Sequence, residues 1–150
     1  MGKTDGTIVL SGYYGFANSG DEAVLHALVQ ALREEAREAG IFLRIIVLSG
    51  NPAQTQRMHG VEAVHRMRPW TVIKALWRAD ALVSGGGSLL QDVTSARSMR
   101  YYLGIIRLAL WLRKPVFIYA QGIGPIRNAR RFGPQIRSLL NRCKIGRAHV

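Results

Sequence analysis

Short apolar runs alternate along this chain with longer stretches whose apolar positions recur every three or four residues. Residues 7–11 form a brief β-branched run, which reads as a buried strand. From 21 to 39, Leu25, Leu28, Val29, Leu32 and Ala36 keep helical spacing, while Glu22, Gln30, Arg33 and Arg37 fall on other faces. Gly40 is placed to stop that helix. Residues 43–49 predict a second strand and Gly50-Asn51-Pro52 a turn. A short helix over 53–59 then leads to a weak strand at 62–65. Pro69 opens a helix over 70–79. A strand at 81–84, the longest helix at 95–112, a strand at 115–120 and a helix at 131–142 follow. Strands that alternate with helices build right-handed βαβ units on a mostly parallel sheet. The expectation is therefore an α/β, Rossmann-like parallel sheet flanked by helices. After Arg142 the pattern calls for another strand, yet residues 143–150 hold no apolar run, so the domain reads as cut off in mid-pattern.

Charge adds an asymmetry that the apolar pattern does not show. Residues 1–92 hold nine Lys/Arg and nine Asp/Glu; residues 93–150 hold twelve Lys/Arg and no acid, which accounts for the whole net charge of +12. Such a half suits a polyanion, an anionic membrane face or a phosphate-bearing ligand, and equally a plain solvated basic surface. Arg97, Arg100 and Arg107 fall in one narrow arc of the longest helix and could meet phosphate or acidic headgroups. Tyr101, Tyr102 and Trp111 nearby read as core rather than as stacking platforms. The longest apolar candidate for a membrane span, 101–112, is broken by Arg107 and closed by Arg113-Lys114-Pro115. Residues 7–10 are too few for a signal-peptide core. The single cysteine, Cys143, excludes an internal disulfide and a cysteine-based zinc site, and the four histidines lack metal-ligand spacing. No metal and no cofactor is expected, and the default location is cytoplasmic.

Candidate chemistry sits in three glycine-bearing turns, each directly after a predicted strand. The first runs from Gly12 through Gly15 and Gly20 to Asp21-Glu22. It lacks the Gly-Lys-Ser/Thr of a P-loop and the Gly-x-Gly-x-x-Gly of a dinucleotide fold. Two carboxylates at a helix start repel phosphate and welcome a sugar hydroxyl. Ser19-x-x-Glu22 also fits a capping box that needs no ligand. In the second turn, Gly85-Gly86-Gly87-Ser88 invites close approach to the backbone; Ser88-x-x-Gln91 is a second capping candidate, and Asp92 could orient a hydroxyl or act as a base. The third, Gln121-Gly122-Ile123-Gly124-Pro125, could present N–H groups to an anion or be an ordinary turn.

Taken together, residues 11–23 (SGYYGFANSGDEA), 84–92 (SGGGSLLQD) and 119–125 (YAQGIGP) resemble the polysaccharide pyruvyl transferase family, most closely its bacterial cell-wall branch. The likeness covers about residues 6–142. It implies the N-terminal domain of a two-domain, glycosyltransferase-B-like fold with ligands between the domains. It also implies transfer of the enolpyruvyl group of phosphoenolpyruvate, as a pyruvate ketal, to two hydroxyls of a sugar on a lipid-linked amino-sugar acceptor. Asp21 and Asp92 are then the expected catalytic residues. Tyr13, Gly15, Asn18, Gly86, Gly87, Ser88, Gln91, Arg97, Gln121 and Gly122 are the expected substrate-binding set. Family members are about twice this length, and the residues that hold phosphoenolpyruvate belong largely to the second half. The chain alone is therefore expected to be inactive. A lipid-linked acceptor adds an expected peripheral contact with the inner, anionic face of a membrane. The competing readings are a nucleotide-sugar glycosyltransferase of similar fold and a basic nucleic-acid-binding domain. No nucleic acid is expected, because no helix-turn-helix, zinc-finger or RNA-binding signature is present.

Overall fold

A computed structural model describes residues 4–16, 19–85 and 96–119. Among these residues nine elements follow one another: β1 (Thr4–Ser11), α1 (Ser19–Ala39), β2 (Ile41–Ser49), α2 (Pro52–His59), β3 (Glu62–His65), α3 (Pro69–Arg78), β4 (Ala81–Gly85), α4 (Ala96–Trp111) and β5 (Val116–Tyr119). The strands form one sheet in the order β3-β2-β1-β4-β5, and every neighbouring pair is parallel. This is the Rossmann-like α/β sheet that the alternation of elements predicts.

Strand periodicity splits the core in two. In β1, Ile8 and Leu10 face one helical layer and Val9 the other; in β2, Ile45 and Val47 part from Ile46 and Leu48 in the same way. Helix α1 covers the first face with Leu25, Leu28, Val29 and Leu32. Helices α3 and α4 cover the second with Val72, Ala75 and Leu76, and with Ile105 and Ala109. A central strand buried on both sides needs apolar residues at every position, which is why β1 reads as a continuous run.

Helix ends follow local chemistry. Gly40 (φ 70°) and Gly60 (φ 63°) take the left-handed conformation that closes α1 and α2. The side chain of Asn51 accepts from the Gln54 N–H at 3.3 Å to start α2, and Pro52 and Pro69 begin α2 and α3. The Gly50-Asn51-Pro52 turn is thus shorter than predicted, since Pro52 already belongs to α2. Asp80 ties β4 to β1: its carboxylate accepts from the Thr7 N–H, and its own N–H donates to the Thr7 carbonyl, both at 2.7 Å. That clamp supports the register that sets Ser11 beside Ser84.

One packing expectation is overturned. Trp111, read as core, stands on the outer side of α4 and is 79% exposed, whereas Tyr102 is buried. The helical period decides this: the buried arc runs through Tyr102, Ile105 and Ala109, and position 111 lies opposite it. The helix predicted at 131–142 lies outside the described residues.

Candidate functional site

The chain order reverses between β1 and β4. Helices α1 and α2 return the chain along one face of the sheet, and α3 carries it to the other face. Above such a switch point the carboxyl ends of the strands part and leave a crevice where open α/β sheets bind ligands. Ser11, the last residue of β1, and Ser84, the last but one of β4, lie there, paired in register and both buried. The Ser11 hydroxyl has no hydrogen-bond partner among the described residues. A buried hydroxyl in that position is costly unless something satisfies it.

The first glycine turn is held by long-range contacts. Gly15 has φ 85°, and a side chain there would strike the Ser49 hydroxyl and the backbone nitrogens of Gly50 and Asn51. Only glycine fits on both counts. The Gly15 N–H donates to Glu22 Oε2 at 3.0 Å, and the other oxygen of that carboxylate accepts from His59 Nε2 at 3.0 Å. Glu22 and His59 are both buried. This corrects the capping-box reading: α1 already includes Ser19, and the Glu22 carboxylate joins the turn to α2 instead. His59 Nδ1 finds no partner among the described residues. The pair borders a cleft of about 510 Å³ that also touches Ser19, His26, Gln54 and Met58.

Beside the turn lies a second cluster, built around Arg66. This residue directly follows β3, and its N–H donates to the Ser49 carbonyl at 3.0 Å. The guanidinium is buried and faces three rings: Phe16 at 5.1 Å, Tyr101 at 4.2 Å and Tyr102 at 5.3 Å. Such cation–ring contacts strengthen as water is removed. Nη1 donates to the Tyr102 hydroxyl at 3.1 Å, and the Tyr101 hydroxyl donates to the Arg66 carbonyl at 2.6 Å. Burial pushes the Tyr102 phenol up to about 12, against the pull of the Arg66 charge; the Asp21 carboxylate adds to the rise. Burial raises Tyr101 as well. Both phenols therefore keep their protons at ordinary pH. Tyr13 stacks on Phe16 (centroids 4.3 Å apart, planes at 17°), and together with Gly50, His65, Arg66 and Met67 they line a pocket of about 440 Å³. A groove of about 570 Å³ by Asp5, Arg33, Arg44 and Glu62 lies at the opposite edge, beside the amino-terminal parts of β1, β2 and β3. We place the candidate site at the carboxyl edge, because position relative to the strands outweighs size.

Of the residues read from sequence as functional, the structure brings three to this edge. Asp21 is buried in the first turn of α1, close enough for its charge to act on Tyr102. Tyr13 lines the pocket, and Gly15 shapes the turn. Asn18, Gly86, Gly87, Ser88, Gln91, Asp92, Gln121 and Gly122 lie outside the described residues, as does the side chain of Arg97 in α4. Sequence reasoning missed Arg66 and His59. Arg66 carries the signal used for the three turns, a place just after a strand, but no glycine marks it. His59 is joined to Glu22 across 37 positions, which no local pattern reveals.

The profile of the family described as Polysaccharide pyruvyl transferase matches residues 18–145. No match is found among curated protein sequences. Among solved structures, an oxidoreductase from Corynebacterium diphtheriae is similar, with a TM-score of 0.53 and 14% identity, over 93% of this chain and 97% of that one. A homoserine dehydrogenase from Thiobacillus denitrificans, with a TM-score of 0.48 and 16% identity, is matched over 93% of this chain; the chain spans 28% of that enzyme's length. The likeness to the Corynebacterium protein shows the fold alone: a parallel, Rossmann-like sheet.

Proposed function

We propose that this chain, which belongs to the polysaccharide pyruvyl transferase family, forms one wall of a site that moves a pyruvate ketal from phosphoenolpyruvate to a sugar. The observation that best supports this is the buried Arg66 guanidinium, which lines a carboxyl-edge pocket and holds Tyr102, the phenol on which the Asp21 charge also acts. Phosphoenolpyruvate presents a carboxylate and a phosphate, and a planar guanidinium grips either with two parallel hydrogen bonds. The Tyr13–Phe16 stack supplies a flat apolar wall beside these polar groups, a usual make-up for a small-molecule site.

In the reaction two sugar oxygens form bonds to C2 of the enolpyruvyl group, and the bond from C2 to the phosphate oxygen breaks. One hydroxyl proton balances the methylene carbon as it becomes methyl, and the other leaves with phosphate. Asp21 and Asp92 orient or deprotonate the attacking hydroxyls. Arg66, with basic residues from a second domain, offsets the charge of the carboxylate and the departing phosphate. The acceptor we favour is an N-acetylmannosamine unit on a lipid-linked cell-wall precursor, as in the CsaB-like branch of the family. A dinucleotide reading of the same fold fits less well. The spacing of Gly12, Gly15 and Gly20 departs from its fingerprint, and α1 begins with two acids where a pyrophosphate would rest.

The test is phosphate release from phosphoenolpyruvate with a lipid-linked amino-sugar acceptor, using this chain and a version extended by a second domain. Release by the extended form alone is the expected result. Asp21→Asn is expected to lower its turnover by about a hundredfold or more. Arg66→Lys, which keeps the charge and loses the fork, should chiefly raise KM for phosphoenolpyruvate. Turnover of a nucleotide-sugar without any need for phosphoenolpyruvate would replace this reading with the glycosyltransferase one.

A further inference from the structure

All three tryptophans of the chain stand on the outer side of one helical layer. Trp70 and Trp77 on α3 are 82% and 68% exposed, and Trp111 on α4 matches them. Tryptophan is on average a highly buried residue, so three of three outside calls for a cause. Helical geometry sets their direction. On α3, Val72, Ala75 and Leu76 pack toward the sheet, and a seven-residue step puts Trp70 and Trp77 in one line on the opposite side. On α4, Ile105 and Ala109 join the same apolar cluster, while Arg107 and Trp111, one turn apart, point away. Both helices cover the same face of the sheet, so the indoles share one surface.

Cations are interleaved with these rings. Lys74 and Arg78 on α3 and Arg100 and Arg107 on α4 are exposed, and neither helix contains an Asp or Glu. We propose that this face docks on an anionic lipid bilayer, with the indoles at the boundary of headgroups and acyl chains and the cations on lipid phosphates. Two features favour a bilayer over a protein partner. The centre of a protein interface is depleted of lysine, whereas here Lys74 lies between Trp70 and Trp77 along the same helix. Indoles that alternate with long cationic side chains are, by contrast, the make-up of helices that lie in a membrane surface. The contact is peripheral, since among the described residues no helix is long and apolar enough to cross a membrane. With α3 and α4 flat on the lipid, the strands run parallel to the surface. The carboxyl-edge crevice then opens sideways along it. The inference does not depend on the ketal-transfer reading.

The position of every tryptophan on this one face provides the test. Tryptophan emission and co-sedimentation are measured with phosphatidylglycerol vesicles and with phosphatidylcholine vesicles. A shift to shorter wavelength and co-sedimentation with the anionic vesicles, weakened by salt, are the expected results. Replacing Trp70, Trp77 and Trp111 together by Ser should weaken co-sedimentation by about tenfold or more. Lys74→Glu with Arg107→Glu should weaken it comparably, while the thermal melt stays where it was. Absence of an emission shift, or vesicle binding that survives the triple substitution, overturns the proposal. A shift produced by raising the protein concentration alone overturns it too, because a second copy would then cover the face. A shift produced by duplex DNA alone, stronger than that with vesicles, does the same.

Discussion

On one face of the sheet, α1 turns Leu25, Leu28 and Leu32 inward and Gln30, Arg33, Glu34 and Arg37 outward. On the other face, α3 turns Val72 and Leu76 inward and Trp70, Lys74 and Trp77 outward. The inner sides are interchangeable in kind, because both meet the same alternating strands. The outer sides are not. One mixes acids and bases as a solvated surface does; the other combines indoles and cations and carries no acid. Within the first layer, α2 differs again: it buries Thr55 and His59 and is held by polar contacts, among them Ser49 to Thr55 between hydroxyls at 2.7 Å and Gln56 to the Ala63 carbonyl at 3.2 Å. Apolar burial thus explains how α1 and α3 pack, and polar contacts how α2 does. What meets the outer surface has to be read from the outer residues.

The largest expected effects test the equality of the inner sides. Leu32→Ala on α1 and Leu76→Ala on α3 each remove a fully buried side chain, and each should cost about 2–5 kcal/mol in urea unfolding. A difference between them beyond that range would mean that one layer carries the fold. The polar fastening of the first layer comes next. Glu22→Ala leaves the Gly15 N–H and the His59 ring without their partner and should cost about 1–3 kcal/mol. His59→Ala alone should then add little in the double variant, as a cycle of single and double substitutions would reveal.

Alkaline pH offers a comparable effect on the second layer. The folded chain holds the Tyr102 proton up to about 12, above the ordinary value of about 10 for a phenol in the unfolded chain. Between those values the folded state binds the extra proton, so this stabilising contribution is full below pH about 10 and fades as pH climbs toward 12. The expected loss is about 2 kcal/mol across that window, and Tyr102→Phe should remove it from the stability–pH curve. The smallest effects belong to the rims. Arg44 and Glu62 pair across β2 and β3, with Nη2 to Oε1 at 2.6 Å; the guanidinium hydrogen bond holds the carboxyl below its usual range. Both side chains are half exposed, so Glu62→Gln should cost about 0.2–1 kcal/mol and less in high salt. Trp70→Ser should stay within about 0.5 kcal/mol, which separates its docking role from any part in the core.

Much of the fold was legible because its signals are local. The five described strands and four described helices stand where apolar period, proline and glycine put them; α1 starts two residues early, and β1 and β2 extend to Thr4 and Ile41. Gly40 closes its helix as the sequence suggests. The site was legible in part. Asp21 and Tyr13 come from a turn marked by glycine, and that turn does reach the switch-point edge. Trp111 was misread because an apolar residue on an amphipathic helix invites a core reading, and only its angle to Tyr102 and Ala109 decides otherwise.

The amino-acid order by itself determined the kinds of element, their sequence and the turns that need glycine, since these depend on neighbours within a few positions. Tertiary structure alone decided that Arg66 would lie under Tyr101 and Tyr102, that Glu22 would hold His59, and that three separated tryptophans would share a face. Those meetings follow from the strand order β3-β2-β1-β4-β5, which brings the ends of distant strands to one edge and distant helices to one side. Hydrophobic period tells a residue which way to point along its own element; only the assembled sheet tells it what lies there.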